Sequence, residues 1–350
     1  MMSSTRANPL RDNAFSLGVL AFLILLPFLI GMADKQSPLG VLNNASGNSK
    51  FYQGLLIEVF ILAIYGLSYD LLLGITGLLS FGHAMFFAVG AYLTGILLKS
   101  FHWSLWATLI AVIVAGVSQA LLFSIVLPRV KGITFALVTL GMATVFSIVI
   151  TSHELSAYAG SEVGLQSVPK PEWLNPTQRL TFYFVTLAFL TLAYLTYRRF
   201  VNSPTGRVCI AIRENEDRAR MLGYNTFYFK LAALIIAGIT AALGGTLQAL
   251  YQPIVSPTIA GMSYTVTALL IILIGGAGTL SGALVGAATY RLLDFFLNRW
   301  FGEQSSFVLG VVYVAIVLFI PHGIVGTWRQ RSVQMRLGWE RLMVLLTGRR

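Results

Sequence analysis

The chain is predicted to be an all-α, polytopic bundle of membrane-spanning helices, and three observations carry that prediction. Of its 350 residues 56% are hydrophobic and only 11% charged, with a mean hydropathy of +0.77, whereas a soluble domain carries about 25% charge. Ten apolar runs follow one another, each near the ~20 residues that take a helix across the hydrocarbon. The Lys and Arg residues behind the net charge of +11 gather on alternate connections between those runs.

The first run, 15–32, follows Arg6 and Arg11. No small-x-small cleavage site follows it closely, so it reads as a spanning helix rather than a signal peptide. Runs at 53–74, 78–98, 103–127 and 132–152 come next. The connection 153–179, with Pro169, Pro171, Pro176 and Trp173, is too polar to span, and Trp173 suits an interfacial anchor. A run at 180–198 leads into a charged loop, 201–228, and runs at 230–251, 262–276, 279–297 and 306–326 precede a basic tail, 327–350. The whole of 1–350 reads as one transmembrane domain.

Two joins are unusual. The 262–276 run is short and ends in Gly275, Gly276 and Gly278, and the join at Gly74 and Gly77 is equally tight. Glycine-interrupted apolar segments suit broken or re-entrant helices lining a pathway, because irregular backbone persists at membrane depth only beside a cavity. Plain tight turns, or small residues for close helix packing, explain them as well. The stretches GITGLLS (74–80) and GGAGTLS (275–281) echo each other, a hint of internal duplication.

Ten crossings put both termini on one side. That side collects 17 of the 24 Lys and Arg: Arg6, Arg11, Arg129, Lys131, the seven between 198 and 230, and the six after Trp328. By the positive-inside rule both termini, the charged loop and the tail are cytoplasmic, and no nucleic-acid partner is needed to explain the basic charge.

The charged loop contains Pro204 to Gly223, PTGRVCIAIRENEDRARMLG, which is expected to form a capped helix. Ser203 or Thr205 can cap its start, Pro204 suits the first turn, and Gly223 supplies a left-handed stop. Glu214 and Arg218, and Glu216 and Arg220, stand at the favourable i, i+4 spacing. Ile212, Ala219 and Leu222 form a narrow apolar stripe suited to docking on another protein. A solvated loop is the competing reading.

Catalytic and metal-binding constellations are missing from the pattern. The lone cysteine, Cys209, excludes an internal disulfide, and the four histidines have no metal-site spacing. No lysine follows a glycine, so there is no phosphate-binding loop for ATP, and energy must come from a partner or an ion gradient. The ionisable residues inside runs are Glu58, Asp70, His83, Arg291 and Asp294, each a functional candidate because charge at membrane depth is costly. The plainer alternatives are a helix-end position for Asp70, an i, i+3 pair of Arg291 with Asp294, a wet position near the outer surface for Glu58, and a packed core role for His83.

Three blocks, GLLSFGHAMFFAVGAY (77–92), GRVCIAIRENEDRARMLGY (206–224) with Lys230, and LIGGAGTLSGALVGA (273–287), resemble the permease subunits of bacterial branched-chain amino-acid ABC importers, over about 60–326. The resemblance implies a vitamin-importer-like bundle in the bacterial inner membrane. It works with a homologous second permease, an external solute-binding protein and two cytoplasmic ATPase subunits that bind ATP and Mg, with no cofactor in this chain. It places ATPase coupling at Gly206, Arg213, Glu214, Asn215, Glu216, Ala219, Leu222 and Gly223. It also puts the Gly77–Ala84 block, with Phe81, Gly82 and His83, beside the translocation pathway, and the buried charge, glycine breaks and aromatic residues add Asp70, Phe86, Gly275, Gly276 and Gly278 as further pathway candidates.

ATP-driven import is the leading expectation. The rivals are an ion-coupled transporter using Asp70, His83 or Asp294, and a passive channel for a small neutral solute around Phe81, His83, Phe86 and Phe87. Relatives with similar motifs carry urea or short amides, which leaves the substrate open. A membrane enzyme is the weakest reading.

Overall fold

The structure is a computed structural model, and it describes residues 9–328 and 330 apart from 36 and 44–46. Of the expected basic tail, 327–350, only 327, 328 and 330 are among the described residues.

In chain order the helices are α1 (Pro9–Ala33), α2 (Pro38–Leu42), α3 (Asn48–Asp70), α4 (Ala84–Lys99), α5 (Leu105–Ser124), α6 (Ile133–Thr151) and α7 (Ser156–Ala159). Then come α8 (Arg179–Asn202), α9 (Pro204–Glu214), α10 (Glu216–Met221), α11 (Thr226–Tyr251), α12 (Met262–Gly275), α13 (Leu280–Phe301) and α14 (Ser305–Phe319). Among the described residues the only sheet is the two-residue antiparallel pair of β1 (Leu165–Gln166) with β2 (Ile254–Val255). It ties the 153–179 connection to the end of α11.

Each of the ten apolar runs holds a helix. Among the described residues six stretches are long and apolar enough to cross a membrane, one of them Leu280–Trp328, which contains both α13 and α14. Leu17–Ala33, Ala84–Lys99 and Met262–Gly275 are apolar but shorter. The chain is therefore a multi-pass helical membrane protein.

The most deeply buried helix is α3, which packs against α8, α11, α12 and α13. Its apolar side chains are buried around most of its circumference, as a helix surrounded by other helices requires. Helices α4 and α11 approach closely because Gly90 lies on the Ala242 backbone and Gly245 on that of Phe87. By contrast, only 28% of the apolar windows of α5 and of α6, and 11% of the most apolar window within Leu280–Trp328, is buried.

The run read as 78–98 starts late as a helix. Residues 77–80 are irregular, 81–83 form a turn, and α4 begins only at Ala84. Just before that break, α3 widens into a π-turn over Leu71–Ile75, with Thr76 N–H donating to the Leu71 carbonyl. Such single π-turns recur at functional sites.

Candidate functional site

The two glycine joins meet in space. The π-turn contains Gly74, one residue before its end at Ile75, and the backbone N–H of Gly278, in the join between α12 and α13, donates to Asp70 Oδ1 at 2.7 Å. Gly77 and Gly278 share a φ of +77°. A Cβ at Gly278 would stand 2.7 Å from the Gly74 carbonyl oxygen and 2.8 Å from Arg213 Nη1, so only glycine fits both the conformation and the space. Asp70 is fully buried, and its second oxygen, Oδ2, has no hydrogen-bond partner.

Arg213, near the end of α9, reaches this junction from the charged segment. Its Nη1 donates to the carbonyl of Gly74, and its Nη2 pairs with Glu214 at 2.9 Å. Gly77 packs against its stem. The carbonyl it meets lies near the end of the π-turn, where regular helical hydrogen bonding stops.

Above the junction His83 is buried at the head of α4. Ser68 Oγ donates to the Tyr65 carbonyl at 2.6 Å and lies 2.7 Å from His83 Nε2. With the hydroxyl proton committed to the carbonyl, Nε2 carries the ring proton and donates to Ser68, leaving Nδ1 as a buried acceptor without a partner. Tyr65 stacks on His83 at 5.5 Å and on Tyr264 at 5.0 Å, and Tyr69 and Phe86 complete an aromatic box around the imidazole. The Tyr65 hydroxyl and Ser80 Oγ are also buried and unpartnered. Buried polar atoms without a protein partner thus gather among these aromatic side chains.

The expected pathway residues thus divide. Asp70, Gly275, Gly276 and Gly278 belong to the glycine junction, with Gly276 packed against the backbone of His322. His83 and Phe86 belong to the aromatic box. Gly82 sits against the Thr139 backbone, and Phe81 beside it is half-buried.

The charged segment departs from the single expected helix. It folds as two, α9 and α10, because Asn215 leaves helical geometry (φ −161°, ψ 103°) and caps α10 by accepting from Arg218 N–H at 2.9 Å. Ser203 caps α9, accepting from Gly206 N–H at 3.2 Å. Gly223 (φ +90°) closes α10, its own N–H donating to Arg220 while Tyr224 N–H reaches back to Ala219, a Schellman ending. The break at Asn215 separates Glu214 from Arg218, and Glu214 pairs with Arg213 instead. The expected apolar stripe divides too. Ile212 and Ala219 are buried, whereas Leu222 points outward with Met221, at 73% and 81% exposure.

Glu216 fixes the segment to the bundle. Its carboxylate accepts from Lys230 at 2.7 Å, Arg220 at 2.8 Å and Thr226 at 3.0 Å. Burial raises its pKa, but the Lys230, Thr226 and Arg220 contacts outweigh that and hold it below the usual 4.5. Asp217 pairs with Lys131 at 2.9 Å, putting the 128–131 connection on the same side of the bundle as the charged segment. Burial pushes the Cys209 thiol up to about 11, the value of a small core side chain rather than a reactive thiol.

A third polar cluster escaped the sequence as a unit. Arg291, on α13, donates from Nε to Glu58 of α3 at 2.5 Å and from Nη1 to Asp294 at 2.7 Å, while Gln252 donates to Glu58 at 3.2 Å. The pair at i, i+3 is as the spacing suggested, but Glu58 is not simply wet. Its partner lies 233 positions along the chain, a separation that no local pattern reveals.

Comparison with known proteins agrees on the kind of molecule. The family model "Branched-chain amino acid transport system / permease component" matches residues 51–320. The high-affinity branched-chain amino acid transport system permease protein LivM of Escherichia coli (strain K12) is 30% identical over 287 residues, covering 75% of this chain and 67% of the relative. LivM of Salmonella typhimurium is 28% identical over 286 residues, with the same coverage. LivH of Escherichia coli (strain K12) is 23% identical over 286 residues, covering 75% of this chain and 91% of the relative. No solved structure matches. The relatives are transport permeases, not enzymes.

Proposed function

The chain belongs to the branched-chain amino acid transport system permease family, and on that premise we propose that it is a membrane permease subunit of an ATP-driven importer of branched-chain or other amino acids. It crosses the bacterial inner membrane ten times, with α9, α10 and both termini in the cytoplasm. It pairs with a second, homologous permease, receives solute from an external binding protein, and is driven by two ATPase subunits that bind ATP and Mg.

The observation that carries this reading is Arg213. A segment outside the apolar core, suited to be gripped by a motor, sets one guanidinium against a place where two broken membrane elements touch. A displacement of α9 therefore pulls on Gly74, and through Gly278 and Asp70 on the α12–α13 join. Coupling needs a contiguous mechanical link between the site of energy input and a two-state element, and this is one. Asp70, Phe81, Gly82, His83, Phe86, Gly275, Gly276 and Gly278 lie on or beside the pathway it controls. Glu214, Leu222 and their exposed neighbours form the motor-facing surface, while Gly206, Asn215, Glu216, Ala219 and Gly223 shape and anchor it.

The test is to purify the tagged chain in mild detergent, identify co-purifying subunits, and reconstitute the assembly in proteoliposomes. ATP-dependent uptake of leucine that is insensitive to an uncoupler supports the reading. Uptake that persists without ATP and collapses with the uncoupler refutes it in favour of ion coupling. Downhill flux through the isolated chain refutes it in favour of a passive channel.

A further inference from the structure

The ion cluster of Glu58, Arg291 and Asp294 lies in the wrong place for an ordinary surface network. Arg291 is midway along the 22-residue α13, on the order of 16 Å from either end. Glu58 is ten residues into α3, roughly 15 Å from its start. Both positions lie inside helical stretches long and apolar enough to cross a membrane, with Glu58 level with Gln252 at the end of α11. Yet the three side chains keep 24%, 23% and 30% exposure respectively. Acyl chains cannot solvate ionised groups, so charged residues at this depth face a bundle interior or a water-filled cavity.

The cluster is also not neutral. Two carboxylates share one guanidinium, which leaves a net charge of −1, and the oxygens that Arg291 does not take accept from Gln252 and Asn298. Three donor groups of Arg291 are engaged by Glu58 and Asp294, and the fork has five N–H groups in all. An ammonium group is attracted by the surplus carboxylate, and a carboxylate can take the remaining guanidinium N–H groups. A zwitterionic α-amino acid carries both on one carbon.

The cluster is continuous with the aromatic box. Glu58 and Tyr65 are seven residues apart on α3, and Tyr65 and Ser68 three apart, so all of them share one helix face. Tyr264, stacked on Tyr65, lies within electrostatic reach of Glu58 and Tyr290. A polar track therefore runs along α3 from the ion cluster, past Tyr264 and Tyr65, to Ser68 and His83.

From these placements we infer that Glu58, Arg291 and Asp294 form a transfer site for the charged head of a zwitterionic amino acid within the membrane. The inference rests on the importer reading and names the part of the chain that handles the solute's charges. All ionic partners in the site come from this chain, so a solute enters by exchanging with them rather than by filling a preformed tight pocket. Weak, exchangeable binding suits passage.

Two measurements on the assembled complex test it. First, Asp294→Cys is treated with a membrane-impermeant charged thiol reagent; the chain's own Cys209 is buried and serves as the background. Labelling is expected, and it should slow severalfold while leucine is being transported. A cysteine that stays unlabelled in every state overturns the site, because that face then meets lipid or sealed protein. Second, Glu58→Gln, which keeps an acceptor for Arg291, and Asp294→Asn are expected to lower leucine uptake about tenfold or more, whereas Phe296→Ala on the exposed flank of α13 leaves it unchanged. Wild-type uptake in both carboxamide variants overturns the site while the importer reading stands. Failure of the unmutated complex to take up leucine with ATP would instead overturn the importer reading.

Discussion

Arg213 and Gly74 are 139 residues apart in sequence, yet the guanidinium of the first donates to the carbonyl of the second, joining the charged segment to the broken end of α3. The same guanidinium binds Glu214 with its other terminal nitrogen. Lysine offers a point charge where this site uses a fork. Arg213→Lys is therefore expected to assemble normally but to deliver about tenfold less leucine per ATP hydrolysed, the equivalent of ~1.4 kcal/mol of lost coupling. Proteoliposome uptake measured alongside phosphate release checks this, and an unchanged ratio would remove Arg213 from the transmission.

Much of the architecture was legible because a membrane helix announces itself by composition, and each of the ten apolar runs holds a helix. The break at Asn215 was legible in principle: an Asn followed by Glu216 and Asp217 is an N-cap with an acidic first turn, but the surrounding i, i+4 charge pairs suggested one continuous helix. What stayed hidden depends on long-range packing. Nothing near Arg213 in sequence says that its side chain turns toward the bundle, and nothing near Glu58 points to Arg291. His83 could be singled out as a buried polar group, whereas nothing in the sequence marks Tyr65 and Tyr264, which the fold stacks together.

Gly278 stands where a side chain has neither the right backbone nor room. Its φ of +77° costs an L-residue roughly 1–2 kcal/mol, and a methyl group there presses on the Gly74 carbonyl and Arg213. Gly278→Ala is expected to lower the midpoint of thermal unfolding and to reduce transport more than that loss accounts for, because the junction is pushed apart. A matched Gly310→Ala, at a site with open space around it, is the control. Equal behaviour of the two variants would mean that the junction carries no special role.

Glu216 predicts a pH dependence with a definite sign. Its carboxyl is held below 4.5 in the folded protein, burial being outweighed by Lys230, Thr226 and Arg220, so the unfolded chain binds the proton more readily. The stabilisation is complete above the unfolded value and is lost as pH falls through the folded one. Glu216→Gln should unfold at a lower temperature than the parent at pH 7, and the gap should narrow as the pH is taken below about 4.5. A gap that is constant or widens in acid would show that the carboxylate contributes nothing through its charge.

The surface offered to a motor is testable apart from the link behind it. Met221 and Leu222 are 81% and 73% exposed, and Tyr224 and Tyr228 add 45% and 65% on the same flank. Four large apolar or aromatic side chains in so short a stretch suit a partner groove better than water. Met221→Asp together with Leu222→Asp removes that character where nothing in this chain is packed, so folding stability should change by no more than about 0.5 kcal/mol per site. Co-purification of the ATPase subunits is expected to fall at least tenfold, and Glu214→Lys should weaken it as well, since Glu214 is exposed beside the same surface. Retention of the ATPases by the double variant would place the motor contact elsewhere on the chain and leave Arg213 as an internal brace.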